Sequence, residues 1–356
     1  MDDEHREFLE ALLETASPSG YETPGQRVWV DYVSRFADDV TVDEYGNAVA
    51  VHEGDSDVDV SVALAGHGDE IGFVVRRVTD DGFVKLGRVG GSDKTVSRGQ
   101  HVTVHPDDGP VSGVVGQTAI HLRENGDGES VPEVREQYVD VGTADGEEAS
   151  DLVECGDPVT FTQQVRDLAG ERVAARGMDN RVGTWAAAEG LRRSIAAEAD
   201  ATVYAVSTVQ EEVGLKGAQM VGFDLEPDAV VATDVTHATD SPSVPAGKET
   251  GLELGGGPVL TRGSSNHPAV VDAVREVAAD RDVDVQLQAA GIRTGTDADA
   301  FYTARGGIPS LNVGIPNRYM HTPVEVVDLA DLDAVATLLG RFGARAEEFA
   351  PFAVDV

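Results

Sequence analysis

Apolar runs of strand length alternate with helical patterns at both ends of this sequence, and give way in its middle to short β-branched runs. The runs at 61–65, 201–208, 229–233 and 309–315 are apolar almost throughout, the pattern of strands buried on both faces. Helices are predicted over 180–197, 267–280 and 329–349. Near the amino terminus Phe8, Leu9, Leu12 and Leu13 share one face of another helix, which Pro18-Ser19-Gly20 ends. A further helix is expected at 24–37, with strands at 40–42, 47–51 and 283–288. This alternation predicts an α/β fold, with a largely parallel or mixed sheet covered on both faces. From about Ile71 to Thr162 the runs 83–86, 101–104 and 113–116 are short and separated by Gly, Asp and Pro, so a small β-rich unit is expected there. The chain is therefore read as an α/β domain in two segments, 1–70 and 163–356, with a β-rich domain, 71–162, inserted between them. The acidic stretch 124–130 reads as an exposed loop.

Charge narrows the partners. With 64 acidic against 27 basic residues the net charge is −37, which repels nucleic acid and anionic membranes alike. No apolar run approaches the ~18 residues that span a bilayer. The opening MDDEHREF is acidic where a signal peptide is basic, and Cys155 is the only cysteine, so a cytosolic location is expected. Only four of the basic residues are lysine: Lys85, Lys94, Lys216 and Lys248. An acid excess with scarce lysine fits a salt-loaded cytoplasm, where dissolved ions screen the self-repulsion.

Catalytic groups in open α/β sheets gather at the carboxyl ends of strands. Those junctions carry His67 and Asp69 after 61–65, Glu211 and Glu212 after 201–208, Asp234 after 229–233, and His321 beyond 309–315. Asp179 precedes the alanine-rich helix. Each has a plain structural reading: Asp179 as a helix cap, His67-Gly68-Asp69 as a turn, His321 as a loop histidine, Glu211-Glu212 as a solvated acidic patch. Their recurrence at one kind of junction favours a shared site. Oxygen and imidazole donors without thiolate suit catalytic zinc, cobalt or manganese.

The motifs Ser17-Pro18-Ser19-Gly20-Tyr21-Glu22, Gly66-His67-Gly68-Asp69-Glu70-Ile71-Gly72-Phe73, Gly177-Met178-Asp179-Asn180-Arg181, Gln210-Glu211-Glu212-Val213-Gly214, Thr233-Asp234, Gly295-Thr296-Asp297-Ala298 and Arg318-Tyr319-Met320-His321-Thr322-Pro323 span nearly the whole chain. Together they resemble the M42 family of metallo-aminopeptidases. Gly66 and Gly68 replace bulkier neighbours, and Thr322 stands where Ser is common. The resemblance implies two divalent metals bridged by Asp179, with His67 and Asp234 completing one site and Glu212 and His321 the other. It implies Glu211 as general base in a metal-activated water attack, and Asp69 orienting the ring of His67. It further implies a PDZ-like insert that dimerises, short peptide substrates, and homo-oligomers that can reach tetrahedral dodecamers. Because some members are labelled endoglucanases, a glycoside hydrolase is one alternative. Paired carboxylates must straddle the bond, however, and Trp29 and Trp185 are the only tryptophans available to stack sugars. An inactive scaffold is the other alternative, though no expected ligand is missing. His237 and His267 are further candidates for the neighbourhood of the site, and 295–298 and 317–319 for pocket loops.

Overall fold

The computed structural model describes residues 1–356 except 56, 124–129, 163 and 281–282, so most of the predicted acidic loop lies outside the described residues. In chain order the strands are β1 (Asp39–Val42), β2 (Ala48–His52), β3 (Ser61–His67), β4 (Gly72–Val78), β5 (Phe83–Val89), β6 (His101–Val104), β7 (Val111–Val115), β8 (Tyr138–Asp140) and β9 (Pro158–Phe161). They continue with β10 (Arg166–Asp167), β11 (Arg172–Ala175), β12 (Thr202–Thr208), β13 (Ala229–His237), β14 (Val259–Arg262), β15 (Gln286–Ala289), β16 (Ser310–Asn317) and β17 (Glu325–Asp328).

Eight of these form one mixed sheet in the order β1-β2-β12-β3-β13-β16-β14-β15. Its centre, β12-β3-β13-β16, is parallel throughout, so four carboxyl ends open on the same edge. These strands are buried nearly end to end, which is why their sequences lack alternation. Strands β4 to β9 close into an antiparallel barrel around Phe73, Leu86, Val102, Val139 and Val159. Their β-branched residues and intervening glycines suit short, strongly curved strands.

The helix Met178–Ala196 lies across the sheet and is buried on nearly every side. Small residues allow this close approach: a Cβ on Gly66 would strike the backbone of Gly183 and Thr184. Asp2 caps the first helix, Asp3–Glu14, by accepting from His5 N at 3.1 Å, and Phe8, Leu9, Leu12 and Leu13 are its buried face. Both tryptophans are sealed in this layer. Trp29 Nε1 donates to Thr184 O and Trp185 Nε1 to His5 O, each at 3.0 Å.

Several predicted elements end differently; β13, expected at 229–233, runs on to His237, so that Asp234 lies within the strand. The helix expected at 24–37 is Thr23–Val33, followed by a turn that sets Phe36 edge-on against Tyr32. The strand expected at 283–288 is Gln286–Ala289, because β14 offers partners only to those residues. The closing helix is interrupted at Arg345, which takes φ −120°, ψ 11°, and a last helical turn, Ala346–Phe349, follows it; the Arg345 guanidinium pairs with Glu348 and Asp280.

Candidate metal centre

The parallel strands deliver side chains to their shared carboxyl edge. Strand β3 ends on His67, β13 carries Asp234, β12 leads into Glu211 and Glu212, and β16 leads into the loop of His321. In an extended strand Glu211 and Glu212 would point to opposite faces. Here β12 stops at Thr208, and Gln210 takes φ +56°, a left-handed turn that brings both carboxylates inward. Four consecutive backbone N–H groups hold that turn. Val209 donates to Asn47 Oδ1 (3.0 Å), Gln210 to Glu22 Oε1 (3.1 Å), Glu211 to Asp69 Oδ1 (3.0 Å) and Glu212 to Asp69 Oδ2 (3.2 Å). Asp69 is itself fixed by Ser19 Oγ at 2.6 Å.

The capping reading of Asp179 fails for a local reason. The backbone at Asp179 (ψ 103°) and Asn180 (ψ 42°) is not helical, so the regular helix starts after them, and Asn180 Oδ1 caps it by accepting from Gly183 N at 3.0 Å, which frees Asp179. The two carboxylate oxygens of Asp179 then face two imidazoles: Oδ1 is 3.2 Å from His67 Nε2, and Oδ2 is 3.1 Å from His321 Nε2. Asp234 Oδ1 lies 3.7 Å and Glu211 Oε2 3.9 Å from His67 Nε2, while Glu212 Oε1 is 3.5 Å from His321 Nε2. Donor atoms of His67, Glu211 and Asp234 fall within 4.8 Å of one another, as do those of Asp179, Glu212 and His321. His67 Nδ1 lies 3.2 Å from Asp69 Oδ1, close but without the alignment of a good hydrogen bond.

This concentration of charge is electrostatically unfavourable without cations. Burial pushes the Glu211 carboxyl up to about 10 against the pull of His67, and Asp234, Asp297 and Glu212 add to the rise. Burial and Asp179 push Glu212 up to about 7. The carboxylates of Asp179 and Glu212, 3.1 and 3.5 Å from its Nε2, raise His321 to about 11. Among the described residues no Lys or Arg pairs with any of these six groups, and Glu212 Oε1 is buried without a hydrogen-bond partner. Four clustered carboxylates, two imidazoles and an orphaned carboxylate oxygen fit small divalent cations that neutralise them.

One supporting residue was invisible in the sequence. Glu325 on β17, buried at 1% exposure, accepts from Asp179 N (3.0 Å) and His321 N (2.7 Å), tying both sides of the centre together. Its only signal was a carboxylate four positions after His321. Asp297, in a predicted pocket loop, is buried and accepts from Thr208 Oγ1 at 2.5 Å. Among the described residues His237 and His267 make no hydrogen bond or ion pair to the six groups; His267 instead begins the helix Pro268–Ala279. The barrel also reaches the site. A side chain on Gly91 would run into the imidazole of His321, and one on Gly90 would strike Ile71 and press on Glu212.

A family model described as M42 glutamyl aminopeptidase matches residues 46–338. The lysyl aminopeptidase of Pyrococcus furiosus is 33% identical over 336 residues, covering 92% of this chain and 93% of its own. A TET aminopeptidase from a marine sediment Thaumarchaeota archaeon superposes with a TM-score of 0.92 at 29% identity, over 99% of this chain and all of that one. The TET1 peptidase of Pyrococcus horikoshii, which can assemble into a tetrahedron or a large octahedral shell, gives 0.83 at 30% identity, over 95% and 99%.

Proposed function

The chain belongs to the M42 glutamyl aminopeptidase family of peptide-bond hydrolases, and from that premise we propose that it removes amino-terminal residues from short peptides using two divalent metal ions. The observation that carries this reading is the pair of contiguous donor clusters, with one carboxylate, Asp179, facing a histidine of each. On this reading His67 and Asp234 hold one ion, Glu212 and His321 the other, and Asp179 serves both. Zinc, cobalt or manganese suits such oxygen and imidazole donors. When bound, the two ions supply Lewis acidity for the scissile carbonyl and lower the pKa of water. Glu211 accepts the proton of the attacking water on its carboxylate and passes it to the leaving amine nitrogen. Asp69 holds the backbone N–H of Glu211 and Glu22 that of Gln210 before it, fixing the turn this transfer needs, and Glu325 does the same for Asp179 and His321.

A glycosidase reading has less support. Adjacent carboxylates in one turn do not straddle a glycosidic bond, and both tryptophans are fully buried. The direct test compares an amino-acyl nitroanilide with carboxymethylcellulose. Nitroanilide hydrolysis is expected, lost on chelation and restored by zinc, cobalt or manganese. Cellulose hydrolysis indifferent to chelator would overturn the assignment.

We take 1–70 and 163–356 as the catalytic domain and 71–162 as an inserted, PDZ-like dimerisation domain, through which the chain forms a homo-oligomer extending to a tetrahedral dodecamer. The assemblies of the P. horikoshii relative support this. Among the described residues no helix is long and apolar enough to cross a membrane. With that, the acid excess and lysine scarcity favour a cytoplasmic, salt-adapted protein. Its melting temperature is expected to rise between dilute buffer and molar KCl, as screening relieves repulsion at a net charge of −37. A Tm flat or falling with KCl would refute salt adaptation.

A further inference from the structure

Two openings lie on elements next to the candidate metal centre. One, about 390 Å³, is bounded by Val235, Thr236, Asn312 and the 289–294 loop. The other, about 680 Å³, is a cleft on the barrel lined by Arg88, Gly91, Lys94, Glu133 and Arg135. One of its lining residues, Gly91, abuts the His321 imidazole. Both volumes fall in the range of ligand-sized sites.

The charge of the barrel cleft is unusual for this molecule. Lys94 is committed to Glu133, and the Asp93 carboxylate to the backbone and hydroxyl of Thr95, both at 2.7 Å. Among the described residues Arg88 and Arg135 make no direct ion pair or side-chain hydrogen bond; their nearest acidic influence is Glu133, whose carboxyl is held below its usual range first by Lys94 and more weakly by these two guanidiniums. Two exposed guanidiniums without a direct partner thus line a cleft whose Gly91 wall meets a histidine of the candidate centre. On a peptide approaching this edge, any carboxylate beyond the scissile bond is drawn to the arginines. Guanidinium matches a carboxylate in a bidentate fork, a stronger contact than a neutral hydrogen bond.

We infer that Arg88 and Arg135 bind a carboxylate on the departing side of the scissile bond. Resting on the aminopeptidase reading, this selects peptides short enough to bring their C-terminal carboxylate into the cleft, or bearing an acidic side chain downstream.

The test uses the full-length protein at one fixed KCl concentration and four substrates: a neutral tripeptide, its C-terminal amide, an amide with a glutamyl third residue, and an amino-acyl nitroanilide. In the wild type the free tripeptide is expected to have a lower KM than its amide. The glutamyl amide shows whether a side-chain carboxylate substitutes for the terminal one. In the double variant Arg88→Gln/Arg135→Gln, kcat/KM for the free tripeptide should fall roughly ten- to hundredfold, mostly through KM, as expected for loss of charge-assisted hydrogen bonds. Amide and nitroanilide should be unaffected. Equal wild-type handling of acid and amide overturns the proposal, as does a variant that weakens all four substrates alike. So does a change in assembled mass by light scattering, which would assign the arginines to subunit contacts. A wild type inactive on all four substrates would instead overturn the aminopeptidase reading.

Discussion

Glu211→Gln is expected to keep its full metal content while kcat falls roughly 10²–10⁴-fold, the usual worth of a positioned acid–base group. Glu212→Gln should behave differently although it is the adjacent residue. It removes a charge from the cluster with His321 and Asp179, so one ion per chain should be lost or bound far more weakly. The two glutamates share a turn and a single positioning carboxylate, Asp69, so a general disturbance of the turn would affect both variants alike. Metal analysis and kcat, measured on both at matched high salt, separate the roles. Metal lost from Glu211→Gln and retained by Glu212→Gln would reverse them. The reversal is a real alternative, because Glu211 itself lies within 4.8 Å of the His67 and Asp234 donors.

The second large effect is predicted for Asp179→Asn. Its two oxygens sit 3.2 and 3.1 Å from different histidines, so the substitution weakens both halves of the centre at once. Both ions should be lost together and hydrolysis with them, whereas Glu212→Gln should leave one ion in place. Loss of a single ion from Asp179→Asn would show that the carboxylate does not bridge. The helix itself should survive, because Asn180 provides the cap. Circular dichroism equal to wild type would confirm that the loss is local.

Much of this centre was legible because one rule of α/β sheets locates it: buried parallel strands end at a common edge. His67, Asp234 and Glu211 follow from finding apolar runs and reading what comes next. Asp179 was legible only as an ambiguous helix start, and its release from capping depended on which of two neighbouring residues, Asp179 or Asn180, turned its side chain toward Gly183. Glu325 was not legible, since a carboxylate in a short strand carries no local mark of two backbone N–H groups arriving from elsewhere. The contact of Gly90 and Gly91 with Glu212 and His321 was likewise hidden, because it is a packing relation between the barrel and the sheet. Periodicity also missed the single-residue break at Arg345 between the last two helical segments, which leaves the apolar pattern on either side unchanged.

The turn at 209–212 borrows all four of its side-chain acceptors from residues 22–69, across sequence separations of 142 to 188 positions. That has a consequence for how the protein comes off the ribosome. Strands β1 to β3 emerge first, yet β12, which lies between β2 and β3 in the sheet, emerges only after the whole barrel. The barrel is contiguous from Gly72 to Phe161 and can fold while its host sheet still lacks its middle. Contacts of such range are slow to form, so the nascent chain passes through a stage with a finished insert and an open sheet edge. Hydrolytic competence then arrives last, when the two halves close, and a partly synthesised chain carries none of it.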